Sequence, residues 1–188
     1  VSAVEAPAGR VAFLVASEGI EQVELTEPWA AVEAAGMQPV LISPEAGQVQ
    51  AFKHLDKADT FDVDVTVADA DVDDYVGLVL PGGVANPDAL RTDPGAVSFV
   101  KAFLNSTRPV ASICHASWTL IETGELSGRR LTSWPSLRTD LVNAGAEWVD
   151  EEVVVDRLGS GELITSRNPD DLPAFCGALV DSFRASAT

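Results

Sequence analysis

Two cysteines and two histidines occur in 188 residues, and one of each stand side by side in "RPVASICHASWTLIE", residues 108 to 122. A thiol next to an imidazole is a nucleophile with a base at hand. An apolar run leads into Cys114-His115 and a helix-like segment follows, so the thiol falls at a strand-to-helix junction. At a helix start, unpaired backbone N–H groups and the helix dipole stabilise a thiolate and lower its pKa. The pattern has the form of a nucleophile elbow, where crowding demands small neighbours, and Ser112 and Ala116 are small. The competing reading is a buried structural thiol, with His115 structural as well. Cys176, in "LPAFCGALV", lies among apolar residues at helical spacing and reads as core.

Two further segments carry chemistry-bearing residues to strand ends. "VGLVLPGG" ends a strand in Gly82-Gly83, where backbone amides can approach a developing oxyanion that a Cβ would keep away. Glu18, in "ASEGIEQVEL", follows the first strand, where a carboxylate either orients a substrate proton or caps the next helix. Ligands of open α/β sheets bind beyond the carboxyl ends of the strands, and that edge would gather all three.

The elements that must position them alternate. "RVAFLVA", residues 10 to 16, reads as a strand buried on both faces, and "EQVELTEPWAAVEAAG" as a helix stopping at Gly36. "QPVLIS" is the next buried strand; "QVQAF" and "FDVDVTV" alternate polar and apolar like a hairpin or edge strands; "DADVDDY" reads as a solvated helix start or loop. "VGLVL" is a central strand, and "DPGAVSFVKAFLNS" a helix with Asp93 as N-cap and Pro94 in its first position. After "RPVASI" come a helix at "PSLRTDLVNAG", a strand pair at "EEVVVDR" and "ELITS", and a closing helix from about residue 170 to 186. Such alternation implies one α/β domain over residues 1–188, with a mostly parallel sheet and helices on both faces.

Composition removes several classes of function. With 29 acidic against 12 basic residues, the formal net charge is -17, and no Lys/Arg stripe is present to neutralise phosphates, so nucleic acid is excluded as a partner. The same charge disfavours anionic membranes, and either a halophilic host or a biased genome accounts for it. No apolar run approaches the roughly 20 residues of a membrane span, and "VSAVEAPAGR" lacks the pattern of a secretory signal. The expected location is cytoplasmic, with both cysteines as thiols.

"SEGIEQVELTEPWAAVEAAG", "VGLVLPGGVANPDALRTD", "RPVASICHASWTLIETGELSGRRLTSWPSLRTDLVNAGAEWVDEEVVVD" and "LITSRNPDDLPAF" together resemble the ThiJ/PfpI superfamily, over nearly the whole chain and nearest its PfpI branch. The resemblance implies a flavodoxin-like three-layer sandwich with Cys114 as nucleophile on the elbow. It makes Glu18 the carboxylate that contacts the thiol, and the amides of Gly83 and His115 the oxyanion hole. It makes His115 the general base, completed in the PfpI branch by a Glu from a neighbouring subunit. Asp88, in "VANPDALR", is the nearest equivalent of that Glu, and "CHASW" stands where the family has "CHGP". The implied partners are a second copy of the chain, as homodimer or higher oligomer, and small carbonyl compounds or peptides.

The leading expectation is a stress-response enzyme acting on reactive carbonyls or their protein adducts, of glyoxalase or deglycase type, with no metal or organic cofactor. The alternatives are an intracellular cysteine peptidase and a non-catalytic redox sensor or chaperone that works by oxidation of Cys114.

Overall fold

The computed structural model describes residues 8–188; residues 1–7, part of the segment read against a secretory signal, lie outside them. The first apolar run forms β1 (Arg10–Leu14), followed by a short strand β2 (Glu18–Glu21) and helix α1 (Gln22–Ala34). Then come β3 (Gln38–Ser43), β4 (Gln48–Lys53), β5 (Asp56–Asp62), β6 (Val65–Thr66) and β7 (Gly77–Leu80). Helices α2 (Ala85–Leu90) and α3 (Pro94–Leu104) lead to β8 (Val110–Ile113) and α4 (Ser117–Thr123). The chain closes with β9 (Arg130–Leu131), α5 (Arg138–Asn143), β10 (Glu147–Trp148), β11 (Val154–Asp156), β12 (Leu163–Ser166) and α6 (Leu172–Ser186).

Seven strands make the central sheet in the order β11-β12-β8-β7-β1-β3-β6, and every pairing in it is parallel except β11 with β12. Period-two alternation along buried strands splits their side chains between two cores. From β1, Ala12 and Leu14 face Phe99, Val100 and Phe103 of α3, together with Leu120 and Leu141. Val11 and Phe13 face the other way, toward Leu25 and Val32 of α1 and Phe175, Leu179 and Phe183 of α6. The result is the three-layer α/β sandwich expected from the alternation of elements.

The Asp93 cap forms as expected: its side chain accepts a 2.7 Å hydrogen bond from the Ala96 amide, with Pro94 opening α3. The middle of the chain differs in detail. β4 pairs antiparallel with β5, as a hairpin, but the returning strand is "DKADTFD"; the rest of "FDVDVTV" supplies β6 of the main sheet. The hairpin joins β2 in a separate three-stranded sheet. β5 is almost wholly exposed, so its apolar alternation is too weak to mark it. "DADVDDY" forms short 3-10 turns, and Asp71 accepts from the Asp73 amide.

Candidate active site

β8 runs into the elbow at its carboxyl end. Cys114 has φ 62, a left-handed conformation that residues other than glycine adopt at a cost of about 1–3 kcal/mol. The Trp134 amide donates to the Cys114 carbonyl at 3.1 Å and helps hold this backbone. A 3-10 turn over Cys114–Ala116 precedes α4, which has only seven residues. Ser117 turns into the core, its hydroxyl 3.3 Å from that of Ser112.

The thiol is 6 % exposed and lies 3.1 Å from His115 Nδ1. His115 is itself buried, stacked on Trp134 at 5.3 Å between ring centroids and met edge-on by Trp118. Burial lowers the His115 pKa, which keeps the imidazole neutral at neutral pH and able to accept a proton.

The carboxylate beside the thiol is Glu24, not Glu18. Glu24 is fully buried on α1 and faces Cys114 and the backbone amides of Gly82 and Gly83, while neither oxygen has a partner at full hydrogen-bond geometry. Burial raises its pKa from 4.5 to about 8, with Glu21 adding repulsion, so it carries a proton at neutral pH. Glu18 is exposed on β2, paired in register with Gln50, and forms part of the cleft rim. The reason is a register along α1. Glu24, Leu25, Pro28 and Val32 share its inward face, whereas Glu18 precedes the helix by four residues.

The expected lowering of the thiol pKa is also reversed. Burial pushes it up, and an ionised Glu24 would add to this, against the amides of His115 and Gly83, which favour the thiolate. Burial thus favours the uncharged form of all three groups.

The glycine turn packs closely against the elbow and α1. A Cβ on Gly82 would strike a Glu24 carboxyl oxygen and come within 2.7 Å of Cys114 Cβ and 2.8 Å of the Ile113 carbonyl. Gly83 has φ 86, and a Cβ there would lie 2.7 Å from the Glu21 amide. Asn86, fully buried, staples this turn: its Oδ1 accepts from the Ala16 amide at 2.7 Å, and its Nδ2 donates to the carbonyls of Pro81 and Gly82 at 2.9 and 3.0 Å.

A cleft of about 720 Å³ opens over the thiol. Glu18, Glu24, Gly83, Asp88, Cys114 and His115 all line it, with Phe52, His54 and Leu55 from the hairpin and Trp134 opposite. Asp88 is exposed in the first turn of α2. Among the described residues its carboxylate makes no hydrogen bond to His115, whose ring is bonded only to Cys114. Among the described residues no group of three or more His, Cys, Asp or Glu side chains could hold a metal ion. Cys176 is half-buried between α6 and α1, its pKa raised to about 11 by burial and by Glu27.

A left-handed cysteine at the end of a parallel strand, a glycine turn over it and a buried glutamate against it describe a known kind of protein. The sequence model of the DJ-1/PfpI family matches residues 9–182. The chain belongs to the DJ-1/PfpI family. It is 42 % identical over 166 residues to YraA of Bacillus subtilis (strain 168), whose name marks it as a candidate cysteine protease; the match covers 88 % of this chain and 93 % of that one. It is 38 % identical over 172 residues to deglycase TK1284 of Thermococcus kodakarensis, covering 92 % and 98 %. General stress protein 18 of B. subtilis is 40 % identical over 167 residues, covering 89 % and 94 %. Among solved structures, a two-domain protein of Anabaena variabilis superposes with a TM-score of 0.85 at 32 % identity, over 92 % of this chain and 47 % of that one. DJ-1 of Schizosaccharomyces pombe shares the fold at a TM-score of 0.77 and 23 % identity, covering 94 % and 96 %. Among the described residues of this DJ-1/PfpI chain, no helix is long and apolar enough to cross a membrane.

Two residues central to this site escape a reading for motifs. Glu24 does leave a signal, an acidic residue at i, i+4 and i+8 spacing with the buried Pro28 and Val32. Asn86 leaves none, because nothing in "VANPD" distinguishes a buried amide from a turn residue.

Proposed function

We propose that this protein is a cytoplasmic, cofactor-independent, stress-response enzyme that uses Cys114 on small reactive carbonyls or their protein adducts, in glyoxalase or deglycase fashion. The observation that carries the reading is the 3.1 Å contact between Cys114 Sγ and a neutral His115 Nδ1, opposite the protonated Glu24.

With methylglyoxal as substrate, His115 takes the thiol proton as the sulfur bonds to the aldehyde carbon. The amides of Gly83 and His115 hold the resulting alkoxide. Glu24 and His115 pass the proton from the hemithioacetal carbon to the neighbouring carbonyl carbon, leaving a thioester. Water cleaves the thioester, releasing lactate and restoring the thiol, so the net change is the addition of one water. Cys114→Ser is expected to abolish methylglyoxal consumption, and His115→Asn to slow it by about 10²–10⁴. Wild-type protein that leaves methylglyoxal untouched overturns the proposal.

The name of YraA supports a second reading, a peptidase with the same nucleophile. It requires a homo-oligomer in which Asp88 of a second copy reaches His115, since within one chain no hydrogen bond joins them. Casein hydrolysis that is lost in Asp88→Asn, with methylglyoxal turnover retained, would favour it.

A further inference from the structure

The cleft over Cys114 carries charge of one sign only. Among the described residues Glu18, Glu21 and Asp88 line it, together with Glu24, which burial keeps protonated, and no lysine or arginine does. Among them Glu24 is fully buried, with both oxygens unpartnered and facing the thiol. Glu21 is fixed in place, its carboxylate accepting from the His54 amide at 3.0 Å. Apart from His54 and His115 the rest of the wall is mostly apolar: Phe52 and Leu55 from the hairpin, with Leu55 94 % exposed, then Val84 at 55 % and Trp134. A cleft with low-dielectric walls concentrates the field of its charges, and the net charge of -17 adds the same sign at longer range.

We propose that the carboxylates of Glu18, Glu21 and Asp88 make this cleft charge-selective, so that Cys114 takes uncharged or cationic electrophiles with an apolar flank and turns away anionic ones. This deepens the carbonyl reading and rests on it for the identity of the substrate. It names the class: neutral carbonyls such as methylglyoxal, or carbonyls carried on amines and guanidines, and not oxo acids such as glyoxylate. Glu18 and Glu21 are specificity-determining residues that touch neither the thiol nor the bond being made.

Mixed-disulfide formation reads the selection without turnover. Methanethiosulfonates react in one step: the Cys114 thiolate attacks the sulfenyl sulfur, a mixed disulfide forms, and methanesulfinate leaves. Three reagents span the charges: methyl methanethiosulfonate is the small neutral reference, and its 2-sulfonatoethyl and 2-(trimethylammonio)ethyl analogues are similar in size and opposite in charge. Rates at Cys114, followed by intact mass on a Cys176→Ser background, are divided by those of 2-mercaptoethanol with the same reagent. The cation is expected to react fastest and the anion slowest, with at least about a tenfold gap at low salt that shrinks as salt is added. Glu18→Gln/Glu21→Gln is expected to close most of this gap, since glutamine at 21 keeps an oxygen for the His54 amide. If that protein does not fold, Glu18→Gln alone, on an exposed side chain, is expected to narrow it partway. Glu45→Gln/Asp181→Asn removes two charges that do not line the cleft and is expected to leave the gap in place. Equal normalised rates, a faster anion, or a gap indifferent to the cleft variants overturns the selection. Charge-ordered thiol modification in a protein that ignores methylglyoxal would retain the selection and sink the carbonyl reading. Consumption of methylglyoxal and glyoxylate at equal efficiency would do the reverse.

Discussion

Glu24→Gln is expected to stabilise the protein while disabling it, and the gain should depend on pH in a defined way. Unfolded, Glu24 ionises above its ordinary pKa of 4.5; folded, it holds its proton up to about 8. Between those values the native state binds the additional proton, so stability falls as pH rises. The contribution of the buried carboxyl is fully present below 4.5 and gone by about 8. Each pKa unit is worth about 1.4 kcal/mol, so relative to acid the wild type has given up about 1 kcal/mol at pH 5 and about 3 kcal/mol at pH 7. Glutamine has the same shape and no proton to lose. The stability of Glu24→Gln minus that of wild type should therefore grow by roughly 2–3 kcal/mol from pH 5 to pH 7, equivalent to a relative shift of about 1 M in the urea midpoint. Urea unfolding followed by tryptophan fluorescence, at one protein concentration and at pH 5, 6 and 7, measures it. Two titrations that stay parallel across that range would refute the buried, protonated carboxyl, and with it the role of Glu24 in moving protons.

Three further outcomes follow from the geometry. Because Cys114 sits at φ 62, Cys114→Gly should be more stable than Cys114→Ala by about 1 kcal/mol, a difference thermal unfolding detects and an unstrained site would not show. Gly82→Ala drives a methyl against Glu24, Cys114 and Ile113 and should cost about 1–3 kcal/mol together with most of the activity; unchanged methylglyoxal turnover would contradict the packing. Asp93→Ala removes the cap of α3 and should cost about 1 kcal/mol in urea unfolding, with kcat/KM unchanged because the residue does not line the cleft.

The scaffold was legible wherever burial was extreme. β1, β3, β7 and β8 are continuous apolar runs because helices cover both their faces, and the cap at Asp93 and stop at Gly36 announce themselves locally. The elbow was legible because Cys114 follows one of those runs directly. What could not be read were features set by contacts between distant segments. Whether Glu18 or Glu24 meets the thiol depends on how α1 is rotated against the glycine turn, and the surrounding acidic residues, among them Glu21 and Glu27, blur the pattern. The thiol pKa was misjudged for a related reason. A helix start suggests stabilisation of charge, yet the seven-residue α4 and a 6 % exposed sulfur leave desolvation in command. Asn86 acts through Ala16, 70 positions away, and no local spacing reports such a bond.

The β4–β5 hairpin brings Phe52, His54 and Leu55 to the mouth of the cleft from a sheet that shares no strand with the one carrying Cys114. The thiol and part of the cleft mouth are thus carried by separate sheets. Lengthening or re-lettering the tip at His54-Leu55 would reshape that mouth without touching the strands that hold the elbow. Descendants of this scaffold can diversify their diet by revising a few surface codons, and a grafted loop offers the laboratory the same route.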